Sequence, residues 1–174
     1  MLLHSSPHTQ MQNSRPKCYI DLEMTVITEF TSGHLLLDKI NTMKAWPYFR
    51  TGQPISIFSF AIFSDKDRDE FNARLRLPLE EALGVKIGDV VTIKEMMVAD
   101  RQYTGTYFDP ENGCDMSDWM SLRGKTDAFR YYVLNMNEKN QGYVLIDDVV
   151  PNLEMMYVDN HVRISYINID TIRT

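Results

Sequence analysis

The chain has 174 residues, a formal net charge of −6, and 44% apolar and 11% aromatic residues. This length suits one domain with a substantial core, and this composition excludes an intrinsically disordered chain. The lysines and arginines are scattered, which argues against a dedicated nucleic-acid-binding surface but allows a small anionic ligand. No apolar run is long enough to span a membrane, and the two cysteines have no metal-type spacing. We therefore expect a cytoplasmic protein without membrane contact.

The first third of the chain alternates between strand-like and helix-like patterns. We predict a flexible leader over residues 1–16 and a single domain over residues 17–174. The apolar run "CYIDL" predicts a first buried strand, and "HLLLDKINTMKAW" predicts a helix that ends before Pro47. The run "ISIFSFAIF" predicts a second strand, with Ser59 midway along it.

The middle of the chain begins with a predicted helix. The stretch "SDKDRDEFNARLRLPLEEALG" has Ser64 or Asp65 as its N-cap, is interrupted at Pro78 and ends at Gly84. The run "DVVTIKEMM" then predicts a third strand. The following stretch, "ADRQYTGTYFDPENGCDMSDWMSLRG", has no clean period and predicts a loop or small hairpin.

The last third returns to the strand and helix alternation. The stretch "TDAFRYYVLNMN" predicts a helix capped near Thr126 or Asp127, and "GYVLI" and "VRISYINI" predict a fourth and a fifth strand. This order of elements is typical of an α/β protein. We expect a three-layer, Rossmann-like fold with a mostly parallel central sheet of about five strands.

Two of the predicted strands end in acidic residues. Asp21 and Glu23 follow the first strand, and Asp147 and Asp148 end the apolar part of "YVLIDDVVPN". Ligands of an open parallel sheet bind beyond the carboxyl ends of its strands, so the four acids would face one crevice. A divalent cation would relieve their repulsion, and carboxylate oxygens suit Mg²⁺. The Asp147–Asp148 pair alone is also typical of a turn or a helix cap.

Two further residues have the chemistry to bind a phosphate. Lys125 comes just before a predicted helix, where its charge and the helix N-terminus would both attract an anion. Ser59 is a hydroxyl inside an apolar run, and it would contact either a phosphate or the neighbouring backbone. A solvated surface lysine is the alternative for Lys125.

Taken in order, "DLEMTVI", Ser59, Lys125 and "VLIDD" resemble the four motifs of the haloacid dehalogenase superfamily. The first motif of that family reads D-x-D-x-T, the second is a serine or threonine at a strand end, the third is a lysine and the fourth is an acidic pair. In motif order the resemblance covers roughly residues 17–170. The helix from Thr126 and the strand "YVLIDDVVPN" resemble the closing part of small phosphohydrolases and nucleotidases of the superfamily. The short segments between the motifs imply that the cap domain is absent or minimal.

The resemblance implies a role for each of these residues. Asp21 would be the nucleophile that forms an aspartyl-phosphate, and Glu23 would protonate the leaving group. Lys125 would offset charge in the transition state. The phosphate-binding residues would be Thr25, Ser59 and Lys125. The Mg²⁺ ligands would be Asp21, the backbone carbonyl of Glu23, Asp147 and Asp148.

Glu23 departs from the family pattern and matches a rival one. The superfamily's phosphatases usually carry aspartate at this position, so Glu23 would slow, redirect or abolish hydrolysis. The stretch "YIDLEMT" also resembles the opening motif of oligoribonucleases, in which D-x-E binds two metals for 3′-to-5′ exonuclease chemistry. Val26 replaces the glycine of that motif. The closing motif of that family reads H-x4-D, and the position after four intervening residues from His161 holds Tyr166 rather than the acid.

Three functions follow from these resemblances. The first is a Mg²⁺-dependent phosphohydrolase whose partner is a phosphorylated small molecule, such as a nucleotide, or a nucleic-acid end. The second is a binding or regulatory protein built on a catalytically weakened site. The third is the exonuclease. The aromatic residues Tyr103, Tyr107, Phe108 and Trp119 would either stack on a base or pack internally.

Overall fold

The computed structural model describes residues 15–50, 52–100 and 114–171. Its strands are β1 (Lys17–Ile20), β2 (Ile55–Phe58), β3 (Ile87–Val91), β4 (Gly142–Asp147), β5 (Leu153–Tyr157) and β6 (Val162–Asn168). Its helices are α1 (Leu37–Lys44), α2 (Pro47–Arg50), α3 (Asp65–Arg74), α4 (Arg76–Leu83), α5 (Ile93–Ala99) and α6 (Cys114–Asn135), followed by a 3₁₀ helix (Ile169–Thr171).

The strands form one sheet in the order β3-β2-β1-β4-β6-β5. β1 lies at the centre and pairs in parallel with β2 and with β4. β2 pairs in parallel with β3, and β4 pairs in parallel with β6, whereas β5 pairs antiparallel with β6. The predicted α/β class and the mostly parallel sheet are therefore confirmed, and the described sheet has six strands rather than about five. This architecture is consistent with a Rossmann-like fold.

Two apolar clusters cover the two faces of the sheet. Successive side chains of a strand point to opposite faces, so Ile20 belongs to one cluster and Tyr19 to the other. Helices α1 and α4 contribute Ile40, Met43, Leu79 and Leu83 to the first cluster. Helices α5 and α6 contribute Met96, Trp119 and Phe129 to the second. The result is the expected arrangement of helices on both sides of a sheet.

The run "DVVTIKEMM" was predicted as one strand, and this is wrong. β3 ends at Val91, and helix α5 begins two residues later. Thr92 caps the helix: its hydroxyl accepts a hydrogen bond from the Glu95 backbone N–H at 3.2 Å, and the Glu95 carboxylate accepts one from the Thr92 N–H at 2.9 Å. This reciprocal capping box is a threonine followed three residues later by a glutamate, so the signal was present in the sequence.

The stretch predicted as a loop or hairpin before Lys125 is only partly described. Residues 101–113 lie outside the described residues, and with them Tyr103, Tyr107 and Phe108. Residues 114–123 are helical, so the prediction of a loop or hairpin is wrong for this described part of the stretch. Gly124, with φ 67° and ψ 171°, is not helical and separates this first part of α6 from a second part that begins right after it. A helix start close to Thr126 or Asp127 is therefore confirmed. Trp119 is fully buried in the second apolar cluster, which favours internal packing for this aromatic residue.

The predicted helix after β2 divides earlier than expected. Ser64 is its N-cap and Gly84, with φ 71°, its left-handed C-cap, as the sequence indicates. The break between α3 and α4 lies at Leu75, not at Pro78. Pro78 falls in the first turn of α4, where a missing N–H costs little.

No strand was predicted over the residues of β5. They follow the turn at Pro151 and Asn152, and most of them are exposed, including Leu153 and Met156. None of the five residues is buried, so neither face of this strand has the buried apolar alternation that predicts a strand. None of the described helices is long and apolar enough to cross a membrane.

Candidate metal centre

The order of the strands brings two of the acid-terminated strands side by side. From β1 the chain proceeds outward to β2 and β3 and then returns to the other side of β1 as β4. Asp21 follows the last residue of β1, and Asp147 is the last residue of β4. The Asp21 N–H donates a hydrogen bond to the Ile146 carbonyl at 2.9 Å, which fixes the two strand ends relative to each other. This is the point of reversal where parallel sheets bind ligands.

Three carboxylates meet at this point. One oxygen from each of Asp21, Asp147 and Asp148 lies within 4.8 Å of the other two. Asp21 is 5% exposed and Asp147 fully buried, while Asp148 is half-buried and faces the opening. The sequence predicts that four acids converge, and the structure brings three of them together, whereas the Glu23 carboxylate is not part of the group.

Lys125 is the one cation in direct contact with this group among the described residues. Its Nζ donates a hydrogen bond to Asp21 Oδ1 at 2.9 Å and lies 3.2 Å from Asp147 Oδ2. The lysine side chain is 7% exposed and sits over the Phe60 ring, 4.6 Å from its centroid. The alternative of a solvated surface lysine is therefore excluded by its burial.

The electrostatics of the group are unbalanced, because three carboxylates face one ammonium. Burial raises the pKa of Asp21, and repulsion from Asp147 adds to that rise, while Lys125 and a hydrogen bond from Ser59 oppose it. Partial burial and the Asp21 charge also raise the pKa of Asp148. Burial alone would lower the pKa of Lys125, but Asp21 and Asp147 raise it above its usual value. The lysine is thus held charged between two acids.

The donor set fits a hard divalent cation. Asp147 Oδ1 accepts a hydrogen bond from the Val149 N–H at 2.7 Å, which orients this carboxylate. The other oxygen, Oδ2, is buried and accepts no hydrogen bond from the described residues, although the Lys125 Nζ lies 3.2 Å from it. A buried oxygen without a hydrogen bond is costly and is normally paired. A cation bound by Asp21, Asp147 and Asp148 would supply the missing partner, and carboxylate oxygens are the ligands that Mg²⁺ prefers.

Ser59 and Thr25 lie beside the acids. Ser59 was predicted midway along a strand, but it is the first residue after β2. Because β1 and β2 are parallel, Ser59 and Asp21 both lie at the carboxyl ends of the strands. The Ser59 Oγ is buried and accepts a hydrogen bond from the Ala61 N–H at 3.3 Å. The Thr25 hydroxyl, also buried, lies 3.5 Å from Asp148 Oδ1. Both hydroxyls are therefore at the rim of the acid group, where the resemblance puts phosphate ligands.

The Glu23 carboxylate is held away from the three aspartates. After β1 the chain makes a tight turn, in which the Leu22 carbonyl accepts hydrogen bonds from the N–H groups of Thr25, Val26 and Ile27. A short hairpin follows, with Ile27 paired to Leu35. Glu23 Oε2 accepts a hydrogen bond from the Phe30 N–H at 2.8 Å within this hairpin. The metal-ligand role of the Glu23 backbone carbonyl stays a prediction.

A second cation near the site was missed at the level of sequence. Lys39 of α1 donates a hydrogen bond to the Met24 carbonyl and forms an ion pair with Asp170 at 2.7 Å. Its charge opposes the rise in the pKa of Asp148. Lys39 looks like any helical surface lysine in the sequence, and only the fold brings it to the turn that follows Asp21.

Comparisons with protein-family models, curated proteins and solved structures found no match to this chain. The resemblance to the haloacid dehalogenase superfamily therefore depends on the motif residues and on their geometry alone.

Proposed function

We propose that this protein is a Mg²⁺-dependent phosphohydrolase that acts through an aspartyl-phosphate on Asp21. The observation that carries the proposal is the contact of Lys125 with Asp21 and Asp147 at the reversal point of the sheet, with Asp148 beside them. The carboxylate that would be the nucleophile, the lysine and the three acids that would bind the cation therefore lie within one small volume. This is the arrangement that the four sequence motifs imply.

The proposed reaction has two steps. A carboxylate oxygen of Asp21 attacks phosphorus, a new P–O bond forms, and the bond to the leaving oxygen breaks as that oxygen takes up a proton. Water then attacks the phosphorus of the aspartyl-phosphate, which releases inorganic phosphate and restores the Asp21 carboxylate. The contact with Lys125 favours the ionised, nucleophilic form of Asp21 against the effect of burial.

Lys125 and Ser59 would bind the phosphoryl oxygens, and the charge of Lys125 would stabilise the transition state. Mg²⁺, when bound by Asp21, Asp147 and Asp148, would neutralise the substrate phosphate and part of the acid group. Positioning and charge compensation of this kind are the main catalytic terms in phosphoryl transfer.

Glu23 would supply the proton to the leaving oxygen. Its carboxylate is held in the hairpin that begins right after the Asp21 turn, so the acid and the hairpin would move together. The extra methylene of glutamate relative to aspartate would extend the reach of this carboxyl group toward the leaving oxygen. If the hydrogen bond to Phe30 holds Glu23 permanently, the site is the weakened, phosphate-binding version instead.

The exonuclease reading has less support than the phosphohydrolase. Its resemblance implies antiparallel opening strands, whereas β1 and β2 are parallel. It also requires the carboxylate of the glutamate in "DLEMT" as a metal ligand, but the group of three acids consists of aspartates.

A phosphatase screen tests the proposal. The purified protein would be incubated with Mg²⁺ and p-nitrophenyl phosphate, mononucleotides or oligonucleotides with phosphorylated ends. We expect release of inorganic phosphate that EDTA abolishes and that Asp21→Asn lowers by at least about 1,000-fold, since removal of a nucleophile leaves little covalent catalysis. Turnover that survives Asp21→Asn would contradict it, as would degradation of short RNA without phosphatase activity.

A further inference from the structure

Among the described residues outside the candidate site, Asp100 belongs to a buried charged network that the proposed function does not use. The Asp100 carboxylate, whose side chain is fully buried, accepts hydrogen bonds at Oδ2 from Trp119 Nε1 at 2.9 Å and from Arg123 Nε at 2.6 Å. Arg123 Nη2 also donates to Asp100 Oδ1 at 3.4 Å. We call Asp100, Trp119 and Arg123 the Asp100 anchor. A buried carboxylate is costly unless charged and neutral donors satisfy it, so the positions of these three side chains are tightly specified.

The anchor is joined to Lys125 through the backbone. Asp100 is the C-cap of α5, and Arg123 lies on α6 just before the kink. Gly124 then adopts φ 67° and ψ 171°, a conformation essentially restricted to glycine, and Lys125 follows it. An added Cβ at Gly124 would meet nothing within 4 Å, so the backbone conformation and not crowding explains the glycine. The residues on the two sides of the kink are therefore both held by ion pairs. Arg123 contacts Asp100, and Lys125 contacts Asp21 and Asp147.

The anchor is also joined to Lys125 through aromatic contacts. The Trp119 and Phe60 rings are 6.0 Å apart, and the Lys125 Nζ lies 4.6 Å from the centre of the Phe60 ring. On the other side, Arg123 stacks over the Tyr131 ring at 5.2 Å. Each donor to Asp100 therefore has its own connection to the lysine or to the helix that carries it.

We infer that Asp100 is a positioning residue for Lys125. By fixing Arg123 and Trp119, it sets the direction of the kink and so the place of the ammonium between Asp21 and Asp147. The inference rests on the proposed function in one respect, namely that the place of Lys125 matters for turnover. The alternative is a purely structural role, in which Asp100 only ties α5 to α6.

Asp100→Asn separates the two roles, because asparagine keeps the size of the side chain and an acceptor for Trp119 but loses the charge that Arg123 needs. Lysine accessibility would be measured by acylation at low reagent excess and mass spectrometry, with the exposed Lys94 as internal reference. We expect Lys125 labelling relative to Lys94 to rise about 10-fold, the equivalent of one hydrogen bond to a charged group. The turnover of p-nitrophenyl phosphate should fall about 100-fold through kcat, with little change in KM, because a displacement near 1 Å has that effect.

The matched control is Asp65→Asn, which makes the same change in an exposed Asp–Arg pair with Arg68 on α3. It should leave Lys125 labelling and turnover as they are in wild type. If Asp100→Asn does not fold, the double variant Asp100→Asn/Arg123→Gln decides, since it removes both charges of the Asp100–Arg123 pair together. Labelling of Lys125 that stays at the wild-type level in the folded variant would overturn the inference. Increased Lys125 labelling in Asp100→Asn, together with a wild-type protein that has no phosphatase activity, would uphold the positioning role and refute the proposed function.

Discussion

Glu23 is the residue on which the activity of the proposed phosphatase turns. It stands where an aspartate is usual in the family it resembles, and its carboxylate accepts a hydrogen bond from Phe30 rather than joining the three aspartates. A longer acid bound to a hairpin is consistent with a proton donor that reaches the site from outside it. The same geometry is consistent with an acid that no longer reaches it.

Substitution of Glu23 distinguishes these cases. We expect Glu23→Gln to lower kcat by about 100- to 10,000-fold, the usual effect of losing a general acid, and to leave phosphate binding intact, because Lys125 and Ser59 remain. Glu23→Asp should lower kcat as well, since the shorter side chain cannot span the distance from the hairpin. Steady-state kinetics would show both effects. A gain of activity in Glu23→Asp over an inactive parent would mean that the natural protein is a weakened, binding version.

Asp148 reports on the repulsion within the acid group. Its pKa is raised in the folded protein by partial burial and by the Asp21 charge, so its ionised form destabilises the metal-free fold. We expect Asp148→Asn to raise the metal-free melting temperature by roughly 1–3 °C near pH 7, a modest value because the group is partly solvated. The gain should shrink as the pH falls through the raised pKa toward the unfolded value of 3.8, where aspartate is neutral in both states.

Mg²⁺ should reverse the order of the melting temperatures of wild type and Asp148→Asn. Millimolar Mg²⁺ should raise the melting temperature of wild type, because binding to the folded state is linked to stability, and should raise that of Asp148→Asn much less. Thermal melts with and without EDTA, with Asp65→Asn as a surface control, would show the crossover. A wild-type melting temperature that does not respond to Mg²⁺ would count against a metal site.

At the scale of the elements, the sequence was informative where a pattern is local. The capping residues Ser64 and Gly84 and the apolar run that became β4 were correctly identified, because a cap or a buried parallel strand depends on neighbouring residues alone. The pair of aspartates at the end of β4 follows from the same kind of signal. Their meeting with Asp21 required only that two strands be parallel and adjacent.

The errors have two causes. The start of α5 had a local signal, the Thr92–Glu95 capping box, but it lies inside an apolar run that also fits a buried strand. The other errors arose where burial or tertiary contacts decide the structure. The edge strand β5 has little burial and so little pattern. The stretch before Lys125 was predicted as a loop, but its residues 114–123 are helical and Arg123 is held by Asp100, while the predicted boundary at the glycine is present as the break at Gly124. Neither the Asp100 anchor nor Lys39 has a local signature.

Arginines of α3 and α4 contact the backbone of β3, which is an edge strand of the sheet. Arg76 of α4 donates hydrogen bonds to the carbonyls of Ile87 and Gly88, and Arg68 of α3 donates to that of Val90 at 3.2 Å. These contacts occupy backbone acceptors of the edge strand β3, which would otherwise be open to pairing with another chain. Helices α3 and α4 thus protect one edge while leaving the carboxyl ends of β1, β2 and β4 open to a ligand.

On the scale of the whole molecule, the strand order is what creates the site. β1 lies between β2 and β4, so the residues at or just after the carboxyl ends of these strands lie close together. They are Asp21, Ser59, Asp147 and Asp148. Lys125, next to the kink of α6, contacts this group. Four separate parts of the chain are thereby brought to one point, although the sequence places them more than a hundred residues apart at the extremes.

Acid-quenched trapping tests directly whether Asp21 forms an aspartyl-phosphate during turnover. The protein would be mixed with Mg²⁺ and the best substrate of the screen, quenched in acid within the first turnover, digested and mapped by mass spectrometry. We predict a phosphorylated peptide that contains Asp21 and loses its label on treatment with hydroxylamine, as an acyl phosphate does. The label should be absent in Asp21→Asn. Multiple turnovers of substrate without phosphate on Asp21, or with phosphate on another residue, would contradict the proposed role of Asp21 as the nucleophile.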